Sequence, residues 1–311
     1  MPTKPFEPLL YREYAKVDAK ELIDLASPLL QELVNNGTNV FMRCQAEAGE
    51  GEADEHVPVF TLYLHVLEMT DGIEVLISQS CANAAIPLVR SSFEATLAME
   101  YIMESDYRQR AFAWMASNAH NRMRYYESVD PSTLRYKQLA KELLNDKVMP
   151  QINLPPAADP AAAVDDMRKL LAEPQYKRAE AEYQSEKKRT RRTPQWFSLF
   201  GGSANLRDLA VTLGRGAEYE YLYRYWSSIA HGVDITRFLT PTDSGEPGIY
   251  PLRNARDLPQ IALFASHYLL DATTLLIRKF RPGEDISRWY KREVRTRFLK
   301  LSRTKVRVNL V

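Results

Sequence analysis

The most restrictive feature of this 311-residue chain is the period of its apolar side chains, which recur at spacings of three and four over long stretches. Leu22, Leu25, Leu29, Leu30, Leu33 and Val34 form one stripe, and Leu62, Leu64, Val66, Leu67 and Met69 begin another. A helix turns once in about 3.6 residues, so this spacing lines one side of a helix, whereas a half-buried strand would alternate. Only 12 glycines are available to interrupt the pattern, and glycine is among the strongest helix-weakening residues. The expected fold class is all-α, a helical bundle with long antiparallel helix hairpins.

The chain carries enough apolar material for such a bundle. At 45% hydrophobic residues it can bury one large core or two ordinary ones, which excludes a disordered or fibrous chain. A first helix is expected from about Asp18 as far as Cys44, followed by an acidic loop from Glu47 to Glu55. A second helix starts at Pro58, and a third follows Asn83 with Pro87 in its first turn. Asp106 is suited to capping a fourth helix that folds back on the third as an antiparallel hairpin. Pro131 opens a short helix to Lys147, and the proline- and alanine-rich stretch 150–164 reads as a connector without a core pattern. A charged helix fills the 170s and 180s, and Gly214 ends the helix of NLRDLAVTL. The next helix, around Tyr221 to His231, closes on Gly232. Residues 240–257 read as a loop, ahead of final helices at 258–281 and 284–303. The domain division expected from this is 1–55 as an N-terminal helical extension with its acidic loop, 56–277 as the main helical domain, and 278–311 as a basic C-terminal helix and tail.

Charge narrows the function classes. With 41 basic and 40 acidic residues the formal net charge is +1, which excludes a uniformly basic nucleic-acid coat and a uniformly acidic mimic. The distribution is uneven: twelve Lys and Arg stand against three acids between Arg278 and Arg307. Arg288, Lys291, Arg292 and Arg295, with Trp289 and Tyr290 among them, suit a nucleic-acid backbone, because cations neutralise phosphates and aromatic faces stack on bases. The bland alternative is a solvated helix face. The two cysteines, Cys44 and Cys81, are too few for a disulfide framework and fit a reducing compartment. The opening residues lack the apolar run of a signal peptide, and no charge-free stretch is long enough for a span. A cytoplasmic protein without a membrane is expected.

The five histidines show no zinc-binding spacing, so no metal site is expected. Phosphate-binding glycine loops and the serine-hydrolase elbow are missing as well, and no cofactor is expected. The remaining constellation is Tyr221-Leu-Tyr-Arg224-Tyr-Trp-Ser227-Ser-Ile-Ala-His231-Gly232. Arg224 and His231 are seven residues apart, close to two α-helical turns, which puts both side chains on one helix face. An imidazole that moves a proton beside a guanidinium that holds phosphate charge is a minimal kit for metal-independent RNA cleavage. Against this, Arg224 has Glu218 and Glu220 within reach as simple ion-pair partners. Ser227, one turn before His231, orients the ring or bonds to a backbone carbonyl. Arg90 and Glu94 form a second pair at i and i+4, expected to be an ion pair that fixes helix packing. His120 is a further supporting candidate.

These residues carry a resemblance. The helix LVRSSFEATLAMEYI with Arg90 and Glu94, then Trp196, SANLRDLAVTLG, and the stretch from Tyr221 to His231-Gly232 resemble the bacterial helical family called domain of unknown function 5677, over roughly residues 56 to 275. The last motif is similar to the Arg-x(4 to 6)-His signature of the HEPN superfamily. That resemblance implies a HEPN-like helical core with N- and C-terminal helical extensions, a homodimer, and metal-independent ribonuclease activity in toxin-like or antiphage defence systems. Carried over by position, Arg224 stabilises the phosphate and His231 acts as general acid and base, with two copies facing each other. Tyr225 stands where many nucleolytic members have a polar residue after the arginine. The functional expectation is an RNA-cleaving or RNA-binding protein of a bacterial defence or stress system, with RNA as one partner and a protein from a neighbouring gene as another. Two other readings stand beside it: a non-enzymatic helical interaction module, and a small-ligand sensor whose pocket is lined by Arg90, Glu94 and tyrosines.

Overall fold

The computed structural model describes residues 12–49, 53–149, 159–224, 226–227, 239–241, 247–249 and 252–304. The helices are α1 (Arg12–Asp18), α2 (Lys20–Ala48), α3 (Ala53–Ser78), α4 (Ile86–Glu104), α5 (Tyr107–Val129), α6 (Leu134–Asn145), α7 (Pro160–Ala172), α8 (Lys177–Thr190), α9 (Leu206–Thr212), α10 (Gly216–Glu218), α11 (Leu258–Phe280) and α12 (Arg295–Arg303). The protein is all-α; among the described residues the strands are those of a two-stranded antiparallel ribbon, β1 (Leu239–Pro241) on β2 (Pro247–Ile249), with Thr240 opposite Gly248. Because α3 begins at Ala53, ahead of Pro58, the end of the expected acidic loop is already helical.

Two compact units divide the chain: residues 1–105 with 210–311, and residues 106–209. The split differs from the expected boundaries at 55 and 277, because α2 and α12 bury their apolar faces in the same core as α3, α4 and α11. In this first unit α11 lies at the centre. It is 23 residues long and apolar enough by composition to cross a membrane, and it packs along α2, α3 and α4. Leu29, Leu30, Leu33, Ile73, Phe93, Leu97 and Tyr268 are fully buried there. The apolar stripe on α2 thus has a definite partner, and its burial outweighs the interior Pro28, which removes one helix hydrogen bond. Gly37 lies inside α2 rather than at its end. A Cβ there would meet Leu67 Cδ2 at 2.8 Å and Tyr63 Oη at 2.9 Å. The Tyr63 hydroxyl, fully buried, donates to the Gly37 carbonyl at 3.0 Å and lies 2.9 Å from Thr273 Oγ1, joining α2, α3 and α11.

Pro87 falls in the first turn of α4, as its missing N–H requires. The third and fourth helices, expected to pair as a hairpin, belong to different units: α4 packs on α3 and α11, and α5 on α7 and α8. The second unit is built on α5, whose Phe112, Ala116, Ala119 and Met123 pack with Val164 and Leu171 of α7 and with Tyr176 and Ala179 at α8. Part of the stretch expected to be a structureless connector is therefore a core helix, α7, whose Asp159 side chain accepts the Ala162 N–H at 3.0 Å. Asp106 precedes α5 as expected but caps nothing with its side chain, because its backbone is left-handed at φ 47°.

Candidate functional site

The sequence motif around Arg224 is positioned by a buried charge centre that lies nine residues earlier, at Arg215. Gly214 adopts φ +73° after α9, and the Gly214 and Arg215 N–H groups donate to the Val211 and Ala210 carbonyls. This pair of bonds is a Schellman closure, and it needs a residue that tolerates the left-handed region. It turns Arg215 inward, where only 8% of the residue remains exposed. The guanidinium donates to both carboxylate oxygens of Glu218, at 2.9 and 2.7 Å, and to Glu100 of α4 at 3.3 Å. Asp271 of α11 lies 3.5 Å away, and His267 Nε2 is 3.2 Å from that same Asp271. The rings of Phe93 and Tyr268 sit against the guanidinium at 5.7 and 5.4 Å. One permanent cation thus faces three carboxylates. Burial pushes the Glu100 and Asp271 carboxyls above the ordinary carboxylate range, although Arg215 pulls both down. Burial also raises the Tyr268 phenol.

From this anchor the chain enters a π-helical turn, Tyr219–Arg224. Wide turns of this kind are uncommon and occur often at functional sites. Tyr219 and Tyr223 stack at 5.1 Å, and Tyr223 packs near Phe93 at 6.2 Å. Arg90 of α4 lies over the Tyr223 ring at 4.3 Å. Its Nε is buried without a hydrogen-bond partner. The expected Arg90–Glu94 ion pair is absent: Arg90 turns to the aromatic face, and Glu94 stays exposed. Both residues still bear on one group, for burial and the Glu94 charge raise the Tyr223 phenol while Arg90 opposes them.

Arg224 ends the π turn with its side chain 75% exposed, 3.0 Å from Glu220. Of the two acids in reach, Glu220 takes Arg224 and Glu218 takes Arg215. Between Arg224 and His231 only Trp226 and Ser227 are described. His231 lies outside the described residues. Tyr221 is 72% exposed, and Ser227 is half-buried next to Trp226, which is buried against Phe264. His120 belongs to the second unit. Its Nε2 is 2.7 Å from Glu180, and its ring stacks on Tyr183 at 4.0 Å. Burial works to raise the Glu180 carboxyl, but hydrogen bonds from His120 and Gln184 hold it below its ordinary value. Arg288, Lys291, Arg292 and Arg295 are all exposed, on a segment that passes through a second π turn, Tyr290–Val294. Arg292 pairs with the adjacent Glu293.

Reading the sequence for motifs misses Arg215, Glu100, His267 and Asp271, and offers Glu218 to Arg224 rather than to Arg215. The signal that could have found them is a charge in an apolar setting: Glu100 within LAMEYIM and Asp271 within YLLDATTLL. A carboxylate on a buried helix face demands a partner, even though the sequence does not say which.

No curated protein and no solved structure matches this chain. Residues 56–247, more than half of the chain, match a family whose span covers most of α3, α4, the whole second unit, Arg215 and the Arg224 turn. The chain belongs to the family of unknown function DUF5677.

Proposed function

We propose that this protein is an RNA-binding, HEPN-like protein of a bacterial defence or stress system that cleaves RNA without a metal, with Arg224 and His231 as its reactive pair. The observation that carries the reading is the state of Arg224: a guanidinium three-quarters exposed, at the end of a π turn, tied by a single surface ion pair. An exposed pair of this kind contributes little stability, so a phosphate can displace Glu220 at small cost. The Arg215 centre and the Arg90–Tyr223 contact hold the turn from beneath, which is the support a site residue needs. In the proposed reaction one His231 imidazole takes the proton of a ribose 2′-hydroxyl, and that oxygen attacks the adjacent phosphorus. The bond to the 5′-oxygen breaks, and that oxygen takes a proton from the His231 of a second copy. Arg224 neutralises the charge that accumulates on the phosphoryl oxygens. The exposed Arg288, Lys291, Arg292 and Arg295 supply backbone contacts that do not read sequence. A homodimer in the cytoplasm, regulated by a protein encoded nearby, completes the proposal.

The test is incubation of wild type, His231→Ala and Arg224→Gln with mixed cellular RNA in excess chelator, followed by analysis of fragment ends. Cleavage by wild type alone, leaving 2′,3′-cyclic phosphate ends, is the expected result. If no protein cuts and His231→Ala lowers the melting temperature, the histidine is structural and the chain is a non-enzymatic helical interaction module.

A further inference from the structure

The second unit contains a cleft that takes no part in the proposed cleavage. Its volume is about 450 Å³, within the range that encloses a small ligand. The first turn of α5 forms one wall, and α8 with the residues just before it forms another through Gln175, Arg178 and Ala179. Phe200 lies across from them, and buried Phe112 belongs to the lining.

Three features show a cleft built for occupancy rather than a gap in the packing. First, the backbone is strained at two of its lining residues. Five non-glycine residues in the described chain have positive φ, and Asp106 and Phe200 are two of them. An aromatic residue at φ 58° is a costly conformation, and such strain concentrates at ligand clamps. Here it is held in place by Glu182, which accepts the Phe200 N–H at 3.0 Å. Second, planar cations lie on planar rings. Arg178 sits over the Phe200 ring at 5.3 Å, and Arg108 over Phe112 at 5.7 Å. No carboxylate pairs with Arg178 among the described residues, so its fork of donors is open to an anion. Third, the lining carries more positive than negative charge. Two guanidiniums stand against the single carboxylate of Asp106, and the positive end of the 23-residue helix α5 opens on the same space.

We infer that the cleft binds a small aromatic anion, a planar ring joined to a phosphate or a carboxylate. The ring packs between Phe200 and Phe112, and the anionic group is held by Arg178 and the start of α5. This site shares no residue with the Arg224 turn, so it stands or falls independently of the proposed cleavage.

Calorimetric titration of the full chain tests it, with adenosine monophosphate and indole-3-acetate as the two ring-bearing anions, and adenosine and inorganic phosphate as half-ligands. At least one ring-bearing anion is expected to bind, and which one does distinguishes phosphate from carboxylate. Each half-ligand should bind at least about tenfold more weakly, since it makes only part of the contacts. Arg178→Gln, at an exposed position, should weaken binding about tenfold or more and leave the melting temperature unchanged, with Arg178→Lys between the two. Phe200→Leu, which removes the stacking face, should give a comparable loss through a different contact. The inference is overturned if neither ring-bearing anion binds wild type, or if Arg178→Gln and Phe200→Leu bind as well as wild type.

Discussion

Arg215 shows how one side chain can organise a site that it does not join. Its guanidinium faces three carboxylates from within the fold, so deleting it leaves those acids without a counter-charge. Arg215→Met is expected to lose about 3 kcal/mol of unfolding free energy, seen as a lower urea midpoint at neutral pH. Glu100 behaves in the opposite way. Burial raises its carboxyl above the ordinary range, so the folded chain holds that proton more tightly than the unfolded chain does. Stability from this source is fully present below the unfolded value and is lost as pH rises through the folded one. Glu100→Gln does not suffer that loss. Its stability relative to wild type should therefore improve between about pH 4 and about pH 7, by a small amount because the carboxylate is partly solvated. Unfolding curves at the two pH values check the sign. Little of this centre is legible in the sequence, since Glu100 is 115 residues away from Arg215. The Arg224–Glu220 pair is legible, because partners four apart on a helix need no tertiary knowledge.

At the scale of elements, helix contacts decide what helix composition leaves open. The first helix, expected to reach Cys44, runs through Asn36-Gly37 to Ala48, and there Gly37 lets Tyr63 and Leu67 approach. Gly37→Ala should gain about 1 kcal/mol of helix propensity and lose more than that to overpacking, for a net loss of about 1 kcal/mol in a denaturant titration. At the far end of α2, Glu284 bonds Arg43 at 2.5 Å and pairs with Arg281, which also bonds Glu47 at 2.7 Å. The hydrogen bond from Arg43, with that from Arg281, holds the Glu284 carboxyl below its ordinary value. A lowered folded value gives stability that is present above the unfolded value and lost as pH falls through the folded one. Glu284→Gln should therefore destabilise the chain by roughly 1 kcal/mol at neutral pH. That difference should shrink in acid, as thermal melts at several pH values would record. Helix identities are largely readable from period. Exceptions are α1, which lies ahead of the expected start at Asp18, and α7, where proline and alanine hide a stripe of only two buried residues, Val164 and Leu171.

For the molecule as a whole, a near-neutral chain carries a strongly basic end, and the structure leaves Arg288, Lys291, Arg292 and Arg295 in solvent. If they bind an RNA backbone, replacing all four by Gln should weaken binding to unrelated single-stranded RNAs alike. It should also flatten the plot of log affinity against log salt by about 0.7 for each phosphate no longer neutralised. Filter binding over a salt series measures both, and an unchanged slope returns these residues to an ordinary solvated face. The first unit is assembled from two separate stretches, residues 1–105 and 210–311, and the second unit, 106–209, lies between them in sequence. No local pattern announces that assembly. Helical character, the position of most helix ends and the place where basic charge gathers all follow from the order of residues, because period, prolines, glycines and charge act between neighbours. The folded chain was needed to learn that α2 and α12 share one core, that Arg90 faces Tyr223 rather than Glu94, and that Arg215 is the buried cation. Each of these depends on which distant apolar faces meet, and burial, which has no direction along the chain, does not specify its partners in advance.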